Sequence, residues 1–247
     1  VITANPNGYF KRADDICDCS LGNVLFTIAG VIGTAIKNNY SYGFKNWANQ
    51  EFFKNKLPTT DNTKFRPYNL PANYKGFDVG FRGFDTPDNT IINGYFGSKH
   101  YFSHCEDLIR HYFEMEEICQ AFKDCIIIHF RDYQKNPMMY SLPGNYYKNA
   151  LKLLPEKKIL VVTNDIDTAS KILNIKADYT SNLPIVDFYI CANADYFIAS
   201  NSTFSWWGAY LSRAKTIVPN KWFDGDFKDC PVNLKDFYLD EWSMIDA

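Results

Sequence analysis

At 247 residues, with 46% hydrophobic and 22% charged residues, the chain has room for one large domain or two small ones and the make-up of a soluble globular protein. A formal net charge of -2 argues against a general nucleic-acid binder, which needs a basic excess. Its 7 scattered cysteines, with Cys17 and Cys19 one residue apart, match no zinc or thioredoxin pattern and suggest a reduced, cytoplasmic setting.

No apolar run is as long as a membrane span and no signal peptide is visible; the sequence opens at Val1, so an anchor upstream would fall outside it. The aromatic share of 17% suits stacking on bases and sugar rings, or simply a core rich in Tyr and Phe. Residues 1–15 are polar and turn-rich. Leu21-Gly22-Asn23 then leads into Val24, Leu25, Phe26, Ile28, Val31, Ile32 and Ile36 at helical spacing, which puts Gly22 and Asn23 at a turn opening a helix. Gly lets a ligand approach the backbone, and an Asn amide offers both donor and acceptor. A plain turn with an N-cap is the other reading.

Residues 37–90 read as short strands and loops, among them Phe77-Asp78-Val79-Gly80-Phe81. A strand is expected at Thr90 to Ile92 and an amphipathic helix over His104 to Phe113. His100, His104 and His111 invite a metal reading; without supporting cysteine or carboxylate geometry, exposed helix histidines are the simpler one.

Near Glu117 the texture changes to apolar runs alternating with helices, which divides the chain into residues 1–118 and 119–247. Strands are expected at Cys125 to Phe130, Ile159 to Val162, Tyr196 to Ala199 and Thr216 to Val218. Helices are expected at Tyr146 to Leu154, Asp165 to Leu173 and Pro184 to Ala192. Such alternation indicates βαβ units, hence an α/β fold with a parallel sheet covered on both faces. Ligands in such sheets sit beyond the carboxyl ends of the strands.

Three strand ends carry polar groups. The first gives His129, Arg131 and Asp132, and the second gives Thr163-Asn164-Asp165. The third gives Ser200, Asn201, Ser202 and Thr203, followed by Phe204, Trp207, Tyr210 and Leu211 at helical spacing. Small polar residues before such a run cap a helix, and a helix N-terminus also binds anions, phosphate above all. Arg131 suits a diphosphate, because its planar fork donates two parallel hydrogen bonds. A carboxylate nearby could accept from a base edge or a ribose hydroxyl. Asp165-Ile166-Asp167 and Asp224-Gly225-Asp226 match a metal-holding D-x-D pattern, but acids in a first helical turn and an Asp-Gly-Asp turn explain them equally. Asn39 and Asn201 open formal glycosylation sequons, the latter wedged at a strand–helix junction. No P-loop, G-x-G-x-x-G or G-x-S-x-G is present.

With these pieces in order, the chain resembles the α-1,2-fucosyltransferases of glycosyltransferase family 11. The most specific segment is Ala199-Ser200-Asn201-Ser202-Thr203-Phe204-Ser205-Trp206-Trp207-Gly208-Ala209-Tyr210-Leu211. Leu21-Gly22-Asn23-x-Leu25-Phe26, Asn93-Gly94-Tyr95-Phe96-Gly97-Ser98-x-x-Tyr101-Phe102, Tyr146-Tyr147-x-x-Ala150 and Lys221-Trp222-Phe223 also resemble family segments in the family's order. Where the family carries H-x-R-R-G-D-Y, this chain has the shorter His129-Phe130-Arg131-Asp132-Tyr133, so it is similar to a divergent member. Thr163-Asn164-Asp165 stands for its S-D-D, and Val24 for the Gln after G-N.

The resemblance implies a GT-B-like architecture of two Rossmann-like domains with a cleft between them. The first would hold a glycan acceptor and the second a nucleotide sugar. It implies inverting, metal-independent transfer of L-fucose from GDP-fucose to a sugar hydroxyl, typically the 2-position of galactose, with no cofactor. Arg131 and Asn23 would be catalytic; Gly22, His129, Asp132, Asp165, Ser200, Asn201, Ser202, Thr203 and Phe204 would line the donor. A different donor, a metal-dependent GT-A enzyme and a non-catalytic carbohydrate-binding relative are the alternatives. No general base is identified; Asp18 is the candidate nearest the Gly22-Asn23 turn.

Overall fold

The computed structural model describes residues 1–6, 11–12, 15–16, 21–61, 64–70, 80–119 and 122–247. They form two compact units, Val1–Glu116 with Pro231–Leu239, and Glu117–Cys230 with Asp240–Ala247.

In the first unit, β1 (Ile2–Thr3) is followed by β2 (Lys11–Arg12), β3 (Asp15–Ile16), α1 (Leu21–Lys37), β4 (Arg66–Asn69), β5 (Thr90–Asn93) and α2 (Glu106–Tyr112). β1, β5 and β4 make a parallel sheet in that order, with Ile2 and Arg66 flanking Thr90. β1 was not foreseen in the polar opening; two residues carry no period, and burial of Ile2 against β5 defines the strand. The strand expected at Phe77–Phe81 falls mostly outside the described residues, and Gly80 and Phe81 belong to no strand.

α1 is buried nearly all round, through Val24, Leu25, Phe26, Ile28, Ala29, Val31, Ile32 and Ala35. Burial outweighs the poor helix propensity of glycine here, so Gly22 and Asn23 lie inside the first turn of α1 rather than in a turn before it. Two further glycines let the Asn93–Phe102 segment close on this helix. A Cβ on Gly30 would sit 2.2 Å from the Phe96 ring, and one on Gly33 would sit 2.0 Å from the Tyr101 carbonyl.

The second unit holds β6 (Cys125–Phe130), α3 (Gly144–Leu151), β7 (Lys158–Thr163), α4 (Ile166–Leu173), β8 (Asp178–Thr180), α5 (Pro184–Ala192), β9 (Tyr196–Ile198), α6 (Thr203–Ser212) and β10 (Lys215–Pro219). α7 (Leu234–Phe237) returns to the first unit, and β11 (Ser243–Ile245) completes the second. Its sheet runs β11-β10-β9-β6-β7-β8, parallel throughout. The four apolar runs form strands as expected. β8 and β11 were missed, being three-residue edge strands without an apolar run.

Strand alternation assigns the two faces. Ile126, Ile128 and Phe130 of β6 enter a core with Tyr146, Tyr147 and Ala150 of α3 and Ala169 and Leu173 of α4. His129 points the other way, stacking on Phe204 at the start of α6, which meets Phe188 of α5 edge-on. Trp206 and Trp207 are fully buried, and Tyr210 stacks on Trp206 at a centroid distance of 5.1 Å.

Candidate functional site

The register brings three strand ends level. Phe130 pairs with Thr163, and Ile128 with Ile198, so His129 and Phe130 lie beside the start of the Ala199–Ser202 turn. Arg131–Tyr133, Asn164–Asp165 and Ser200–Thr203 therefore emerge from neighbouring strands on one edge.

The β9–α6 turn is fastened from several sides. Ser205 Oγ accepts the Ser200 N–H at 2.9 Å, and the Ser205 and Ser200 hydroxyls lie 3.1 and 3.2 Å from His129 Nδ1. Tyr146 donates its hydroxyl to the Ala199 carbonyl at 2.7 Å. Asn201 is fully buried; its Nδ2 donates to the carbonyls of Tyr140 and Trp222 at 2.8 and 2.9 Å. Those two residues are themselves joined, Tyr140 N–H to Trp222 carbonyl, and Lys221 Nζ sits 3.7 Å from the centre of the Tyr140 ring. Asn201 is thus a staple of the turn, its amide nitrogen turned inward, and its buried sequon is closed to glycosylation in the folded protein. Its Oδ1 has no hydrogen-bond partner among the described residues.

Ser202 is the N-cap residue of α6, with φ −135° and ψ 138°, yet its side chain makes no capping bond. It is hydrogen-bonded to the Tyr133 hydroxyl instead. Trp206 is the first residue whose N–H closes back along the helix, onto the Ser202 carbonyl at 2.9 Å. The helix therefore opens without a side-chain cap from Ser202, and its first-turn dipole favours negative charge.

Burial depresses His129 to about 3, helped by the adjacent Arg131 charge, so its ring is neutral. Burial raises the Tyr133 phenol, while the Ser202 bond and Arg131 pull against that rise. Arg131 is exposed at the edge. The loop behind it is tightly turned: Asp132 Oδ1 accepts the Gln134 N–H at 2.9 Å, and the Tyr133 carbonyl accepts the Asn136 N–H at 2.8 Å.

Asp165 is the N-cap of α4, accepting the Thr168 N–H at 3.0 Å and the Thr168 hydroxyl at 2.8 Å. These bonds hold its carboxyl below the ordinary range, with a smaller contribution from the Lys135 charge. Asp167 lies in the first turn of α4, and Asp224 precedes a short turn at Gly225–Phe227, so both D-x-D matches are local structure. Among the described residues no three His, Cys, Asp or Glu side chains cluster as metal ligands.

One edge of the second unit thus gathers Arg131, Asp132, Asp165, Ser200, Ser202, Thr203 and Phe204, with His129 and Asn201 beneath it. Gly22 and Asn23 belong to α1 of the first unit. Asp18 lies outside the described residues. Sequence reasoning missed Ser205, Tyr133 and Tyr140, because the contacts that tie them to His129, Ser202 and Asn201 span 61 to 76 residues of the chain.

The glycosyl transferase family 11 model matches residues 33–246. The chain belongs to glycosyl transferase family 11. Two Escherichia coli relatives agree with that membership. One, named Alpha-1,2-colitosyltransferase, is 27% identical over 171 residues, covering 56% of this chain and 59% of its own length. The other, named O-antigen biosynthesis glycosyltransferase WbnK, is 27% identical over 138 residues, covering 47% of this chain and 42% of its own. The chain therefore spans about half the length of the curated relatives it matches.

Among solved structures, fucosyltransferase NodZ from Bradyrhizobium superposes with a TM-score of 0.53 at 13% identity, covering 85% of this chain and 91% of NodZ. NodZ alpha-1,6-fucosyltransferase soaked with GDP-fucose gives a TM-score of 0.52 at 12% identity over the same shares. This family 11 chain shares their α/β fold with parallel sheets.

Proposed function

We propose that the protein is an inverting, metal-independent glycosyltransferase that moves L-fucose from GDP-fucose to a hydroxyl of a sugar acceptor, the 2-position of galactose. The observation that carries this reading is Arg131 standing beside the uncapped start of α6 in a family 11 chain. When the acceptor hydroxyl attacks the anomeric carbon, the bond to the phosphate oxygen breaks, GDP leaves carrying the electron pair, and the hydroxyl proton passes to solvent. Arg131 neutralises the charge growing on the departing phosphate, with Ser202, Thr203 and the first turn of α6 as further donors. Asp165, still able to accept with its remaining lone pairs, stands where the base is read. Ser200, Asn201 and His129 support the turn, Phe204 covers it, and Asp132 shapes the loop.

The finer architecture in this reading is GT-B, with Val1–Glu116 and Pro231–Leu239 as the acceptor-side domain, to which Gly22 and Asn23 belong, and Glu117–Cys230 with Asp240–Ala247 as the nucleotide-sugar domain. A single division at residue 118 leaves out the return of Pro231–Leu239 to the first unit. A second donor is favoured by one observation, the relative named as a colitosyltransferase. Colitose is L-fucose lacking one ring hydroxyl, so the same diphosphate grip serves both sugars.

Incubation with GDP-fucose and galactosides should release GDP, and Arg131→Ala should slow release about a hundredfold or more. Full activity of Arg131→Ala would overturn the role given to it. Thermal stabilisation by GDP but not UDP or dTDP is expected, since a ligand at about a hundred times its Kd adds about 2.7 kcal/mol. Stabilisation by UDP alone would remove the guanine reading, and EDTA-sensitive turnover would remove metal independence. Faster turnover of GDP-colitose than GDP-fucose would decide the donor.

A further inference from the structure

His129 lies in the last turn of the pleat of β6, and Arg131 and Tyr133 follow it in the loop just beyond the strand end. The outer two both reach the β9–α6 turn. His129 Nδ1 lies 3.1 Å from Ser205 Oγ and 3.2 Å from Ser200 Oγ, and Ser205 Oγ closes a ring by accepting the Ser200 N–H. Tyr133 meets Ser202. Arg131 lies between them, close enough for its charge to act on both rings.

The behaviour of Ser202 is the telling point. A serine at N-cap ordinarily bonds its own helix, which is worth about 1 kcal/mol. Here that bond is given up for Tyr133. A local rule broken without local gain marks a place where another requirement prevails. The requirement is a fixed arginine. The His129-Phe130-Arg131-Asp132-Tyr133 segment carries a single guanidinium, exposed at the strand end, so its placement comes from the residues on either side of it.

We propose that His129 and Tyr133 are positioning residues, a two-point clamp that ties the end of β6 to the β9–α6 turn and fixes Arg131 against the start of α6. The consequence for donor binding rests on the function proposed above; the clamp itself does not. His129→Asn keeps a hydrogen-bonding group at the Nδ1 position, His129→Gln moves it outward, and His129→Phe removes it. Tyr133→Phe deletes only the hydroxyl.

The expected result is that His129→Phe, His129→Gln and Tyr133→Phe each raise KM for GDP-fucose about tenfold, the equivalent of one lost hydrogen bond to a held group. His129→Asn should stay within about threefold of the parent. Amide hydrogen exchange over Ala199–Trp206 should quicken in the same three variants and not in His129→Asn. Parental KM and exchange in both His129→Phe and Tyr133→Phe would overturn the clamp. So would a His129→Asn protein as impaired as His129→Phe, since that would make the ring a packing element alone. If the parent protein binds no GDP while exchange still quickens, the functional reading fails and the clamp stands.

Discussion

His129 is a basic side chain buried in the protein. The imidazole is buried between Phe204 and two serine hydroxyls, and its proton affinity falls to about 3 from an ordinary 6.5. Above pH 6.5 the ring is neutral in both folded and unfolded chains. As pH falls from 6.5 toward 3, the unfolded chain takes up a proton that the folded chain refuses, so stability drops. The steepest slope is about 1.4 kcal/mol per pH unit for one proton. The melting temperature should therefore fall faster between pH 6.5 and pH 4 in the parent than in His129→Asn, which has no proton to bind. Parallel curves for the two proteins would show that the ring titrates freely. Little of this was legible beforehand. His129 was expected among the donor ligands because it precedes Arg131, but its partners lie 71 and 76 residues away and local pattern carries no sign of them. Asn201 reads as a ligand for the same reason, while its amide reaches carbonyls 61 residues before and 21 after.

Elements were legible where their own composition decides them. Cys125–Phe130 and Lys158–Thr163 are apolar runs that only a sheet covered on both faces can bury. β8 and β11 take their definition from a neighbour, and no sequence period announces an edge strand of three residues. The pairing of α5 with α6 behaves similarly. Gly208 sits where a Cβ would come 2.7 Å from Cys191 Cβ, an atom fixed to the α5 backbone that cannot swing aside. Gly208→Ala must push the two helices apart, at a cost of about 1–3 kcal/mol for overpacking. Denaturant unfolding measures this directly. An unchanged midpoint would show that α5 and α6 tolerate a wider spacing and that the glycine serves no packing purpose.

For the whole molecule, the order of the sequence segments was more informative than any one of them, because it reflected a common fold rather than a local preference. The segment around Phe96 and Tyr101 illustrates this: its aromatic residues fit against Gly30 and Gly33 of a helix some seventy residues earlier, at 2.2 and 2.0 Å from where side chains would begin. What the segments could not convey is that the chain goes to the second unit and comes back. Phe237 of α7 stacks on Phe26 of α1 with centroids 5.7 Å apart, and Ser98 donates its hydroxyl to the Asp236 carbonyl. β11 in turn pairs with β10. During translation, the usual order in which the amino-terminal domain folds first is therefore unavailable. The aromatic face of α1 stays unsealed until residue 237 is made, and the sheet edge at β10 stays open until residue 243. Force measurements on ribosome-stalled chains should register the first unit's closure only after α7 has left the exit tunnel. A strong folding force from chains ended near residue 116 would contradict this. From the emergence of α1 until Phe237 follows it, the nascent chain holds out an aromatic surface of the kind that ribosome-bound chaperones cover.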